Sequence, residues 1–401
     1  MLGSITCLAV LATQSSTSVP VLEVPSHNDE HIVLQAWVNG YDMSAEEASA
    51  WRVLGPAMLA GCTGYTPDQV RRFTTLAGKP MSVDIFDDTM RFEVLLPREG
   101  WESAARVFLT ILTQAWLRDE DVEAQIKSAS YRSKEPWAIA LEPWNLMVDQ
   151  LKPSDIKFMY EKVIRPENLS FVAYGPIEAG VMSKFVQGEL GRWRVPPKPA
   201  TPRNLTKKEA LLRSGTGLTS IELRCDPVTP STPFNSARVL ATYALGVGKD
   251  TTLFRKVREE RALAYDVDGV LWPTRKGWEP RFFVLKTSAE NDFEIPNALK
   301  NLILEDIDTW NEQTLLRARS MAQSSLKRSN PVSGFWVSRN HALQLTQSER
   351  AAWRGYMQLV GSPAISPAAW ADMLDVVNLE TLKNQAKQMI EGSNVYMISG
   401  I

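Results

Sequence analysis

The sequence predicts an α+β protein made of two tandem, related units. Strand and helix periodicities follow one another along the chain without a long run of either. An order of strand, helices and closing strand occurs twice. A proline-rich, basic stretch, Val195-Pro-Pro-Lys-Pro-Ala-Thr-Pro202 followed by Arg203 to Lys208, separates the two occurrences as an extended linker. The repeat also shows in residues. Arg52-Val53-Leu54 matches Arg238-Val239-Leu240, and Ile156-Lys157, Ile164 and Asn168 match Leu382-Lys383, Ile390 and Asn394. The second set of matches lies further apart than the first by about one helical hairpin, which puts an insertion in the second unit. The expected division is a processed or disordered segment over 1–18, a first domain over 19–194, the linker over 195–208 and a second domain over 209–401.

In the first unit, Val19 to Val24 and His31 to Val38 read as strands joined in a hairpin by the polar turn Pro25 to Glu30. Ser44 or Asp42 caps a helix from Ala45 to Leu59, in which Pro56 predicts a break or kink. Ser82 to Leu96 reads as strands. Glu102 to Trp116 is an amphipathic helix with Ala105, Phe108, Leu109 and Leu112 on one face, and Asp119 to Arg132 is a second helix. Ser154 caps a helix to Val163, and Leu169 to Tyr174 is an apolar strand.

The second unit starts with a strand over Ser220 to Cys225 and a helix over Phe234 to Leu245. Leu253 to Arg261 reads as a short helix capped by Asp250 or Thr251, with Arg255 and Glu259 paired one turn apart. From Tyr265 the period changes: Val267, Gly269 and Leu271 alternate with Asp266 and Asp268, as in a half-buried strand. A strand over Arg281 to Thr287 and helices over Ile295 to Trp310, Thr314 to Lys327, Val337 to Leu345 and Leu379 to Ile390 follow. Asn394 to Ser399 closes the chain as a strand.

At 401 residues the chain is long enough for two or three domains, and 44% hydrophobic with 22% charged residues is ordinary for a globular protein. A formal net charge of -2 leaves no electrostatic footprint for nucleic acid or an anionic membrane. No run of 18 apolar residues predicts a transmembrane segment. Leu2 to Ala12 is mildly apolar, in the manner of an export-signal remnant, but has no preceding Lys or Arg, so periplasmic and cytoplasmic locations both stay open. Three dispersed cysteines and three histidines indicate neither a disulfide framework nor a Ser-His-Asp or Cys-His site. The thirteen tryptophans are scattered and read as buried anchors. Gly246-Val247-Gly248-Lys249-Asp250-Thr251 lacks the spacing of a phosphate loop, and Asp250 would repel a phosphate.

The stretch Gly246-Val247-Gly248, Leu253-Phe254 and Val257-Arg258-Glu259-Glu260-Arg261-Ala262-Leu263-Ala264-Tyr265 resembles the second-domain signature of the pitrilysin/insulinase family. These are the inverted-motif zinc metallopeptidases and the mitochondrial processing peptidases. The resemblance implies two tandem homologous α/β-sandwich domains, each a mostly antiparallel sheet covered by helices on one face. It also implies that Arg258 grips the substrate backbone and that the Tyr265 hydroxyl donates to the tetrahedral intermediate at a zinc site on another domain.

The zinc ligands themselves are missing. The family spacing, counted back from Gly61, puts Arg52 at the first histidine, Gly55 at the glutamate base and Pro56 at the second histidine. The third ligand would fall at Ser130. None of these can ligate zinc or act as base. The letters His27-Asn28-Asp29-Glu30-His31 fit the inverted zinc pattern, but their flanks make a turn entering a strand where the chemistry needs a helix face. The resemblance therefore implies a non-catalytic subunit with no zinc of its own, inactive alone and active in a heterodimer with a zinc-bearing homologous subunit. Arg258 and Tyr265 would complete that partner's site on a peptide substrate enclosed between the two. The alternative is a catalytically dead scaffold or core subunit of a larger complex.

Overall fold

The structure, a computed structural model, describes residues 18–133, 143–197, 199, 219–229, 233–264, 266–286, 295–328, 346–362 and 365–399. Its first sheet is built round β2 (His31–Asn39), a run of apolar and aromatic residues buried on both faces. Ile32, Leu34, Ala36 and Val38 point to one face and join the core under the helices of the first unit. Val33, Gln35 and Trp37 point to the other. Antiparallel β4 (Thr89–Pro97) and β5 (Leu169–Gly175) flank β2, β3 (Ser82–Ile85) lies outside β4, and β1 (Val21–Pro25) pairs in parallel outside β5. The expected β1–β2 hairpin is thus corrected. β5 pairs along both its edges and lies between the two strands that the polar turn connects.

The helices of this unit are α1 (Ala45–Met58), α2 (Pro67–Thr74), α3 (Trp101–Thr113), α4 (Asp119–Ser133), α5 (Pro153–Val163) and α6 (Val181–Leu190). Ser44 begins α1 with a capping box: its hydroxyl accepts from Glu47 N–H (3.3 Å) and Glu47 accepts from Ser44 N–H (3.1 Å). Pro56 sits in the last turn of α1, where the helix is about to end at Met58. Ser154 does not cap α5. Pro153 takes the first helical position, and the Asp155 carboxylate accepts from Lys152 N–H at 2.8 Å.

The second sheet repeats the order. β6 (Thr219–Arg224), β7 (Asp266–Thr274), β8 (Gly277–Lys286) and β9 (Asn394–Ser399) lie as β9-β6-β8-β7, matching β5-β2-β4-β3 strand for strand. α7 (Pro233–Leu245) follows β6 as α1 follows β2. α8 (Ile295–Thr309) and α9 (Glu312–Arg328) follow β8 as α3 and α4 follow β4, and α12 (Leu379–Glu391) leads into β9. Between α9 and α12 lie α10 (Gln347–Leu359) and α11 (Pro367–Met373), where the unequal offsets require an insertion. Neither was anticipated as a helix, and the one expected over Val337 to Leu345 falls outside the described residues, as does most of the linker.

α10 crosses the face of the first sheet that its own helices leave bare. Gln347 donates to His31 O and to Tyr174 O (3.2 Å), Arg350 donates to Tyr174 Oη (3.0 Å) and Asp29 (2.9 Å), and Gln35 Nε2 donates to Ser348 O (3.2 Å). Val33, Trp37, Phe86 and Val172 therefore join one continuous core with the second unit. Tryptophans far apart in sequence meet there: Trp278 lies 5.7 Å from Trp353 and 5.8 Å from Trp370, ring centre to ring centre.

β7 is buried on both faces, not one. Val267 and Leu271 meet the main core, while Val270 and Trp272 pack with Phe283 on the opposite side. The aspartates that suggested a wet face fold back on their own strand, Asp266 accepting from Val267 N–H and Asp268 from Gly269 N–H, each at 2.9 Å.

Candidate functional site

α1 packs on β3 and β4 so closely that a Cβ on Gly55 would stand 2.9 Å from Val83 Cγ2 and 3.0 Å from Met90 Sδ. The position that the resemblance gives to the catalytic glutamate has no room for a side chain. One turn earlier, Trp51 Nε1 donates to Phe86 O (2.7 Å), and Arg52 donates to Ile85 O (2.8 Å) and to Asp87 Oδ1 (3.1 Å). Both side chains tie α1 to the turn between β3 and β4. Ser130 is buried in α4, and its hydroxyl donates to the Asp149 carboxylate. Glu123 is exposed on the same helix.

These residues do not fit a zinc ion. Arg52 carries a positive charge into the position, Gly55 and Pro56 have no donor atom, and a divalent cation there would meet repulsion. Among the described residues no three His, Cys, Asp or Glu side chains converge to hold a metal. His27 is exposed in the turn, and His31 opens β2 with its carbonyl accepting from Gln347, so the letters H-x-x-E-H span a turn and a strand.

Asp87 was not singled out by the sequence, yet it is the most connected acid of this region. Besides Arg52 it takes Arg281 from β8, lies 4.0 Å from Arg224 of β6, and accepts from Trp272 Nε1 of β7 at 3.1 Å. Burial alone would raise its pKa, but the charges of Arg281, Arg224 and Arg52 outweigh it and hold the carboxyl below its ordinary value. Its neighbour Asp88 goes the other way. Burial, with repulsion from Asp87 and Glu279, lifts it to about 6 against the bond it accepts from Arg275 N–H. An Asp-Asp pair in a short turn reads as turn chemistry, and its three guanidinium partners lie far off in sequence.

Arg258 stands on Leu253–Glu260, which winds as a π-helix rather than an α-helix. Leu253 and Val257 anchor the segment in the core. Thr252 Oγ1 donates to Asp306 Oδ2 (2.6 Å), and Arg255 pairs with the same carboxylate (3.0 Å), so the expected Arg255–Glu259 pair is replaced by Arg255–Asp306 and by Lys256–Glu260 (2.7 Å). Thr251 Oγ1, as expected, accepts from Phe254 N–H (3.3 Å). Asp306 is buried on the apolar face of α8 between Ile303 and Trp310. A carboxylate in an apolar stripe was the signal that would have found it. Gly246, at the end of α7, meets Gly269 of β7 backbone to backbone: a Cβ on either would lie 2.8 Å from the other's Cα. That contact accounts for a glycine in the signature without any phosphate.

The Arg258 side chain is 43% exposed, 3.5 Å from Asp266 and over the Phe254 ring at 5.1 Å. Tyr265 lies outside the described residues.

Two sheets of matching strand order, each covered by helices, make up a fold that solved peptidase structures share. The family described as the peptidase M16 inactive domain matches residues 150–310. Among solved structures the fold is similar to a protease from Helicobacter pylori (11% identity, TM-score 0.68, covering 96% of this chain and 97% of that one). It is similar to a peptidase M16 inactive domain from Pseudomonas fluorescens (14% identity, TM-score 0.66, covering 95% and 96%). It is also similar to the first half of the periplasmic protease PqqL from Escherichia coli (14% identity, TM-score 0.57, covering 96% and 90%). No curated protein matches the chain.

Proposed function

We propose that the chain is the non-catalytic subunit of a heteromeric zinc endopeptidase and supplies Arg258 and Tyr265 to the zinc site of a homologous partner. The two units, read as 19–194 and 209–401 about the linker 195–208, form one half of the peptide enclosure, and the partner forms the other. One observation carries the reading: Arg52, which the resemblance puts at the first zinc ligand, is tied up with Asp87, while Arg258 is exposed on a segment braced by Asp306. A donor group needs the right distance from the developing charge, not the same chain. The match to an inactive domain supports a chain that works beside a catalytic one.

A scaffold is the second reading, favoured by the dense ion cluster at Asp87 that joins both units. Mixing the chain with a zinc-bearing homologue and assaying peptide cleavage separates the two. Cleavage that appears on mixing supports the proposal; association with no gain in cleavage supports the scaffold. The chain alone is expected to hold no stoichiometric zinc after dialysis. About one zinc per chain, lost on changing His27 or His31, would overturn the reading.

A further inference from the structure

Three side chains at the start of the Arg258 segment converge on the Asp306 carboxylate of α8. Thr252 Oγ1 donates to it at 2.6 Å and itself accepts from Trp310 Nε1 at 3.1 Å. Arg255 Nη2 donates to it at 3.0 Å, and Lys256 Nζ stands 3.9 Å away. Thr252 and Asp306 are both buried, and a hydrogen bond away from water is electrostatically stronger than one in it. The hold is needed, because π winding is rare and Leu253–Glu260 begins at Thr252 with no side-chain cap.

The far end of the segment is fixed as well. Leu263 N–H donates to Val257 O at 2.9 Å, and Ala262 holds φ at +49°, a left-handed backbone that a residue with a Cβ seldom adopts. Strain of this kind persists only where the surroundings over-determine it. The Arg258 side chain has no comparable hold of its own, only an exposed pair with Asp266. Its place is therefore set by the backbone that carries it, three residues beyond Arg255. We infer that Asp306 is the positioning residue for Arg258: it touches no substrate, and through Thr252 and Arg255 it fixes where the Arg258 guanidinium meets one. The inference rests on the role proposed above for Arg258. Groups far from the chemistry matter in this way because a displacement of about 1 Å can cost about a hundredfold in rate.

A double-mutant cycle on the chain mixed with the zinc-bearing homologue tests it. Asp306→Asn keeps the shape of the side chain and an acceptor for Thr252, but removes the charge that holds Arg255. In the parent background it should lower kcat and raise KM together, with about a tenfold loss in kcat/KM. In the Arg258→Ala background the loss should shrink to less than about twofold, because no guanidinium is left to misplace. A role in folding alone would reduce the amount of active chain, so kcat would fall at constant KM and by the same factor in both backgrounds. That result overturns the inference, and so do parent-like kinetics in Asp306→Asn. A parent mixture that does not cleave overturns the role of Arg258 instead, and this one with it. If Asp306→Asn does not fold, Arg255→Gln removes the same pair at a side chain that is 42% exposed. A loss of about threefold that vanishes without Arg258 then supports the inference, and an equal or absent loss overturns it.

Discussion

Gly355 on α10 lies against the indole of Trp37 on β2, and a Cβ there would stand 2.1 Å from Trp37 Nε1. The helix that joins the two units can approach the sheet because this position has no side chain.

Two glycine substitutions should therefore have opposite signs. Gly188 in α6 has open space where a Cβ would point, so Gly188→Ala gains helix propensity and is expected to stabilise by about 0.5–1 kcal/mol. Gly355→Ala gains the same propensity, but the overpacking against Trp37 costs about 1–3 kcal/mol and wins. Thermal unfolding should show a higher Tm for the first and a lower Tm for the second. A raised Tm for Gly355→Ala would show that α10 is free to retreat from the sheet.

Asp88 gives a pH prediction. Its pKa is about 6 in the fold against an ordinary 3.8, so the folded chain takes up a proton before the unfolded chain does. The stabilising contribution is fully present below the unfolded value and is lost as pH rises through about 6. At pH 7.5 the buried charge costs up to about 3 kcal/mol, from about two pH units at 1.36 kcal/mol each. Asp88→Asn keeps an oxygen for Arg275 N–H and should raise the denaturation midpoint at pH 7.5. The gain should disappear near pH 4. A gain that is equal at both pH values would exclude relief of the charge as its cause.

The elements that could be read in the sequence are those whose periodicity is set by one buried face. α3 shows this through Ala105, Phe108, Leu109 and Leu112, and the capping box of α1 marks its start. α10 buries Ala351, Ala352, Trp353, Gly355, Tyr356 and Met357 between the two units and keeps half-buried polar residues on its other side. Its Thr346–Glu349 capping box was a legible start that periodicity alone passed over. At the candidate site Arg52, Gly55 and Pro56 could be singled out through the family resemblance. Their consequence could not. Arg52 to Asp87 and Asp87 to Arg281 are contacts that no local pattern encodes, and π winding at Leu253–Glu260 leaves the same letters as an α-helix.

The last prediction concerns the pair on which the proposed function depends. In a heteromer with the zinc-bearing partner, a Tyr265 hydroxyl that donates to the tetrahedral intermediate acts as charge develops. Tyr265→Phe removes that donor and little else, and losing one such donor costs about 3 kcal/mol, or roughly a hundredfold in kcat, with KM nearly unchanged. Arg258 should behave differently. A guanidinium that grips the substrate backbone holds the ground state as well, so Arg258→Ala should lower kcat and raise KM together. Its 3.5 Å pair with Asp266 and its 43% exposure make that substitution mild for the fold, since exposed ion pairs contribute about 0–1 kcal/mol. Steady-state kinetics of the mixed subunits, with size-exclusion chromatography to confirm equal pairing, measures both. Parent-like turnover in both variants would remove the Arg–Tyr pair from the reaction and leave the scaffold reading.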